Sequence, residues 1–121
     1  MNTPRLTDIR LHQQSRLLEL IYENGERFNL SCEYLRVFSP SAEVRGHGPG
    51  QEVLVTGKED VTITTIEPVG NYGVKLVFSD GHDTGIYDWN YLYELAENQA
   101  GNWKAYLERL SEAGYQRNTK A

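Results

Sequence analysis

A mixed α+β domain is what this sequence predicts, on three observations. Short runs of apolar residues alternate with polar ones, and Asn24-Gly25 and Asp80-Gly81 supply the turn chemistry of β-hairpins between such runs. Helical periodicity gathers at the end, where Trp103, Tyr106, Leu107 and Leu110 repeat at i, i+3, i+4 and i+7. Strands first and helices last, joined by hairpins, is the α+β order, with antiparallel hairpins, a short helix after the first of them and two C-terminal helices. The length, 121 residues, suits one domain over residues 1–121, with a core over about 5–114 and a disordered tail over 115–121. A chain of this size buries roughly two thirds of its unfolded surface, enough for one core.

The elements follow in order. Leu6 to Leu11 and Arg16 to Tyr22 read as strands joined by a polar turn at His12-Gln13-Gln14-Ser15. After Tyr22 the register is open to argument. A two-residue turn would pair Ile21 with Phe28 and Glu19 with Leu30. A three-residue loop, Glu23-Asn24-Gly25 with Gly25 left-handed, pairs Leu20 with Phe28 and Leu18 with Leu30, and gathers four apolar residues on one face. The second register is preferred. Ser31 then suits a helix N-cap, with Leu30 and Leu35 placed for a hydrophobic staple, and Ser39-Pro40 stops that helix early. Gly46-His47-Gly48-Pro49-Gly50 is a loop. Strand patterning resumes at Glu52 to Val55 and at Val61 to Ile66. It then turns at Gly70-Asn71-Tyr72-Gly73 into Val74 to Phe78, and again at Asp80-Gly81 toward Thr84 to Tyr87. Asp88 is the expected N-cap of a helix from Trp89 to about Glu97. A break at Ala100-Gly101-Asn102 precedes the last helix, which Gly114 caps.

Composition narrows the function. The formal net charge is −5 and no basic cluster exceeds two neighbours, so neither a nucleic acid nor an anionic membrane is an expected partner. The N-terminus shows no apolar run of signal-peptide or membrane-span type. One cysteine, Cys32, cannot build an internal disulfide framework, and the expected setting is the cytoplasm.

The common catalytic signatures are missing: no P-loop, no Gly-x-Gly-x-x-Gly after a strand, no Gly-x-Ser-x-Gly and no His-Glu-x-x-His. Cys32 reads as a buried thiol at a helix start rather than a nucleophile. His82-Asp83 with His47 could form a small metal, ligand or acid–base site. However, a loop at Ser79-Asp80-Gly81 would set His82 opposite Phe78 and beside Thr84 and Ile86, where a packed, hydrogen-bonded imidazole is the plainer reading. The Gly46–Gly50 loop lacks the Lys or Ser/Thr that a phosphate cradle needs, so it reads as a connector. Trp89, Trp103, Tyr91 and Tyr93 read as packing residues, and Lys58-Glu59-Asp60 as a solvated turn. No catalytic residue, and no nucleophile–base pair, stands out.

Three segments carry a resemblance: Leu35 to Gly48, Ile66 to Val74, and Phe78 to Tyr87. They resemble a bacterial family similar to the N-terminal domain of gamma-butyrobetaine hydroxylase, over about residues 5–97. In the hydroxylase, that domain precedes an Fe(II)/2-oxoglutarate dioxygenase domain and holds zinc through three cysteines and a histidine. The resemblance places Leu35 and Arg36 on a Leu-Arg pair, and Ser39, Ser41 and Val44 on the three cysteines. His82 falls on the histidine, with Thr84, Trp89 and Leu92 behind it. Only His82 retains a ligand, so the resemblance implies a lost zinc site and no cofactor. The chain ends where a dioxygenase domain would begin, so no oxygenase activity is expected. Related domains are also similar to ones fused to P-loop ATPases carrying iron–sulfur clusters, which implies a partner concerned with iron–sulfur or oxygenase chemistry. The expectation is a non-catalytic interaction module. The alternative is a small metal- or ligand-binding protein using His82, Asp83 and His47.

Overall fold

The computed structural model describes residues 3–41 and 54–117. Among them run β1 (Leu6–His12), β2 (Leu17–Tyr22), β3 (Arg27–Ser31), α1 (Cys32–Val37), β4 (Ile63–Val69), β5 (Gly73–Phe78), β6 (Ile86–Asp88), α2 (Trp89–Glu97) and α3 (Gln99–Glu112). The strands make two antiparallel three-stranded sheets, in the orders β1-β2-β3 and β4-β5-β6. The fold is α+β, with the short helix after the first sheet and two helices at the end.

Two hairpin loops are built alike, and the second positions the site. Between β2 and β3 the register pairs Leu20 with Phe28 and Leu18 with Leu30, so Glu23, Asn24 and Gly25 form the three-residue loop. Tyr22 N–H donates to Glu26 O at 2.9 Å, Gly25 N–H to Tyr22 O at 3.0 Å, and Asn24 Oδ1 accepts from Glu26 N at 3.0 Å. After β5 the same bonds recur: Phe78 N–H to His82 O at 3.0 Å, Gly81 N–H to Phe78 O at 3.0 Å, and His82 N–H to Asp80 Oδ1 at 3.2 Å. Gly25 and Gly81 both sit at φ +90°, a region closed to most side chains. In each loop an Asn or Asp side chain satisfies the amide two residues on, which is why these residues favour turns.

Ser31 caps α1 by accepting from Tyr34 N at 3.0 Å, and the expected staple residues Leu30 and Leu35 are both fully buried. The far end of α1 leaves carbonyls without helical partners, and tyrosines supply them. Tyr87 Oη donates to Leu35 O and Tyr91 Oη to Phe38 O, each at 2.5 Å, while Tyr34 Oη reaches Leu95 O in α2 at 2.6 Å. Asp88 caps α2 through Tyr91 N at 2.8 Å. Side chains from both sheets, α1 and α2 share one core, including Leu18, Leu30, Leu35, Ile63, Leu76, Tyr87 and Leu92. Val37, Val55, Tyr106 and Leu110 form a smaller cluster under α3.

Several elements differ from the sequence reading. β1 continues through His12, and Arg16 takes the positive φ (54°) that closes its turn. Of the strand expected over Glu52 to Val55, Leu54 and Val55 are not in a strand and the rest lies outside the described residues. β4 starts at Ile63 and runs through Pro68, which an edge strand tolerates because one side of it needs no ladder partner. β6 starts only at Ile86. Lys75 pairs with Ile86 and Phe78 closes on His82, so three residues on the β6 side face two on β5. That extra residue flips the faces. Tyr87 is buried and Ile86 is 42% exposed, so Ile86 does not lie beside His82 in the interior.

α3 begins at Gln99, with the break at Asn98 rather than at Ala100-Gly101-Asn102. Asn98 ends α2 by turning both its amide and its side chain onto Glu94 O. Tyr106 and Leu110 are buried, but Leu107 is 37% exposed, because the small cluster below α3 covers a narrower face than the stripe. Gly114 closes α3 with bonds from its own N–H to Ser111 O and from Tyr115 N–H to Leu110 O, the Schellman pattern. Of the tail expected to be disordered over 115–121, residues 115–117 are described, with bonds from Tyr115 and Arg117 to Glu59 and Glu33, and the rest lies outside the described residues. No helix among the described residues is long and apolar enough to cross a membrane.

Candidate functional site

Where α1 stops, Ser39, Pro40 and Ser41 pass over the hairpin loop that carries His82. Ser39 Oγ and His82 Nε2 share a buried hydrogen bond of 2.9 Å, and Ser41 N–H also reaches Ser39 Oγ, at 3.3 Å. Ser41 Oγ and Thr84 Oγ1 are 2.7 Å apart. Gly85 makes this approach possible, since a Cβ there would lie well under 3.0 Å from Ser39 Oγ and 3.2 Å from Pro40 Cδ. Ser39, Ser41 and His82 thus lie close together. The absence of a side chain at Gly85, which sequence reading passed over, lets them meet.

A serine hydroxyl 2.9 Å from an imidazole is also the spacing of a nucleophile and its base, a pair the sequence did not reveal. Its setting opposes that use. Ser39 is 1% exposed and His82 8%, with Pro40 and Gly85 pressed against the hydroxyl, so a substrate carbonyl has no approach. The donors fit zinc no better. Two neutral hydroxyls that bond to neighbours and one imidazole already engaged are not the thiolate and imidazole set of a tetrahedral site. Among the described residues, no group of three or more His, Cys, Asp or Glu is placed to hold a metal ion.

Beside the clasp lies an ion cluster. Asp80 Oδ2 accepts from Arg36 Nε at 2.9 Å and from Lys58 Nζ at 2.6 Å, while Oδ1 takes the His82 amide. Burial would raise the Asp80 pKa, but Lys58, the His82 amide and Arg36 together outweigh it and hold the carboxyl at about 2. Lys58 is therefore not a solvated turn residue as its Lys-Glu-Asp run suggests: its side chain is 23% exposed and tied to the loop. Arg36 and Asp80 tie the second loop to α1, and Ser39 and His82 tie it to the residues that follow the helix.

The remaining candidates disperse. Asp83 is exposed while His82 is buried, so the two neighbours face different media. Val44, His47 and the Gly46–Gly50 loop lie outside the described residues. Cys32 is fully buried at the start of α1, and burial pushes its thiol pKa up, which disfavours the thiolate a nucleophile needs. Trp89 Nε1 donates to Asn71 O at 2.8 Å and Tyr93 Oη to Glu26 Oε1 at 2.6 Å, so their polar ends serve internal packing.

This arrangement, an α1 loop seated on a histidine-bearing hairpin, bears on the comparison with known proteins. A family model described as "Gamma-butyrobetaine hydroxylase-like, N-terminal" matches residues 9–93. The chain belongs to this family. Two solution NMR structures resemble it over 99% of its length and 94% of theirs, one at 53% identity with a TM-score of 0.81, the other at 43% with 0.83. A crystal structure from Acidithiobacillus ferrooxidans, of a protein with unknown function in the DUF971 family, is 40% identical over 78% of this chain and 92% of that one, with a TM-score of 0.63. No curated protein matches. Within the gamma-butyrobetaine hydroxylase-like family, then, this chain carries a clasp of hydroxyls around His82.

Proposed function

We propose that this chain is a non-catalytic binding module that holds no zinc and serves a protein partner concerned with iron–sulfur or oxygenase chemistry. The observation that carries the reading is the buried 2.9 Å bond between Ser39 Oγ and His82 Nε2. It engages the reactive groups of the family's metal positions in holding α1 to the second hairpin, where they stabilise shape. Membership of the hydroxylase-like family supports the partner class, because the domain's relatives are similar to ones joined to such chemistry. Following the endogenous chain through native size-exclusion of a lysate tests this. Co-elution with one stoichiometric protein, which retains this chain in the reciprocal capture, is expected. Elution at the mass of the chain alone would overturn the proposal.

A further inference from the structure

The tail after α3 ends in an arrangement that the clasp does not involve. Past Gly114 the chain turns back, and the Arg117 guanidinium lies over the Trp103 ring, 5.2 Å from its centroid. Its two terminal nitrogens take the two oxygens of Glu33, Nη2 with Oε1 at 2.9 Å and Nη1 with Oε2. The Glu33 side chain is only 9% exposed, in the first turn of α1. A mostly buried carboxylate set for a two-pronged contact, beside an aromatic face, suits a guanidinium by chemistry. A fork matches both oxygens and stacks flat on the indole, and an ammonium does neither.

The occupant is held by side chains more than by backbone pairing. Beyond the Tyr115 N–H bond to Leu110 O, no backbone hydrogen bond between described residues holds the tail. The Tyr115 hydroxyl reaches Glu59 at 3.2 and 3.4 Å and also bonds the Gly57 backbone, its ring packs on the small cluster under α3, and Arg117 adds the fork to Glu33. The positive φ of Gly114 marks where the tail departs from α3. We propose that Glu33 and Trp103 form an arginine-recognition pocket, filled at rest by the chain's own Arg117 and open to the arginine of a partner peptide when the tail lifts. The tail is then a tethered competitor: its local concentration sets how strongly a partner must bind to displace it. This deepens the binding-module reading and rests on it. It concerns residues that take no part in the clasp, so the titration below can fail while the co-elution test still stands.

The test titrates acetyl-Tyr-Gln-Arg-amide into Arg117→Ala protein and follows the Trp103 indole N–H by NMR. A saturable shift is expected, weaker by roughly tenfold or more with lysine in place of the peptide's arginine, and absent when Glu33→Gln is added. The parent chain should bind the same peptide roughly tenfold or more weakly than Arg117→Ala, because its own tail competes. No saturable shift in Arg117→Ala, equal binding of the lysine peptide, or equal binding by parent and variant would each overturn the proposal. If Arg117→Ala does not fold, Arg117→Lys keeps the charge, loses the fork and enters the same titration with the same outcomes.

Discussion

Gly85→Ala is the substitution on which the clasp depends most sharply. The added methyl would lie well under 3.0 Å from Ser39 Oγ and 3.2 Å from Pro40 Cδ, so the loop after α1 must lift or the hydroxyl must swing away. Either movement lengthens the 2.9 Å bond between Ser39 Oγ and His82 Nε2 in a place that water does not reach. Overpacking of this kind costs about 1–3 kcal/mol, and a buried polar group left without its partner costs about as much again. The sum is about 2–6 kcal/mol, which lowers the melting temperature by roughly 8–24 °C at about 4 °C per kcal/mol for a domain of this size. Thermal unfolding followed by far-UV circular dichroism measures it. A double-mutant cycle with Ser39→Ala isolates the contact. With the hydroxyl gone, the new methyl meets Ser39 Cβ at an ordinary 3.5 Å, and only Pro40 Cδ, at 3.2 Å, still crowds it. The double variant should thus carry only part of the Gly85→Ala cost beyond Ser39→Ala, giving a coupling of about 1–3 kcal/mol from the bond no longer lost twice. A Gly85→Ala melt within about 2 °C of the parent, or additive single effects, would refute the reasoning.

Three further outcomes follow from the same geometry. Gly25→Ala forces a side chain into φ +90° and should destabilise by about 1 kcal/mol or more in urea unfolding. The Asp80 carboxyl has a folded pKa of about 2, below its ordinary 3.8, so its contribution is present above the ordinary value and lost as pH falls through about 2. Between about pH 4 and 2 the parent should lose about 2 kcal/mol more than Asp80→Asn, read from urea unfolding at each pH. Trp103→Ala removes ring contacts to Tyr34 and Tyr106 as well as the face beneath Arg117, and should cost about 3 kcal/mol in the same assay.

Much of this fold was legible because its signals are local. Asn24-Gly25 and Asp80-Gly81 each specify a loop within four residues, and the first set the register through the alternation of Leu18, Leu20, Phe28 and Leu30. Ser31 and Asp88 announced helix starts three residues before the amides they accept from. What escaped depends on partners distant in sequence. The bulge before Ile86 arises where Gly85 meets Ser39, and no local pattern marks it. Lys58 looks like any surface lysine until Asp80 is folded against it, and Arg117 resembles a loose end until Glu33 and Trp103 are in place. At the site, the resemblance set Ser39, Ser41 and His82 at related positions, and the residues around His82 pointed to a packed, hydrogen-bonded imidazole. The structure supplies the Ser39 bond, while the burial that closes the pair to substrate needs the whole core.

The central claim is that hydroxyls and an imidazole tie the α1 loop to the second hairpin in place of a metal ion. Zinc content of untagged protein, measured together with its melting temperature before and after EDTA, tests this most directly. The account predicts zinc well below one per chain and a melting temperature that chelation does not move. One zinc per chain, with a melt that falls on chelation, would contradict it and make His82 a ligand.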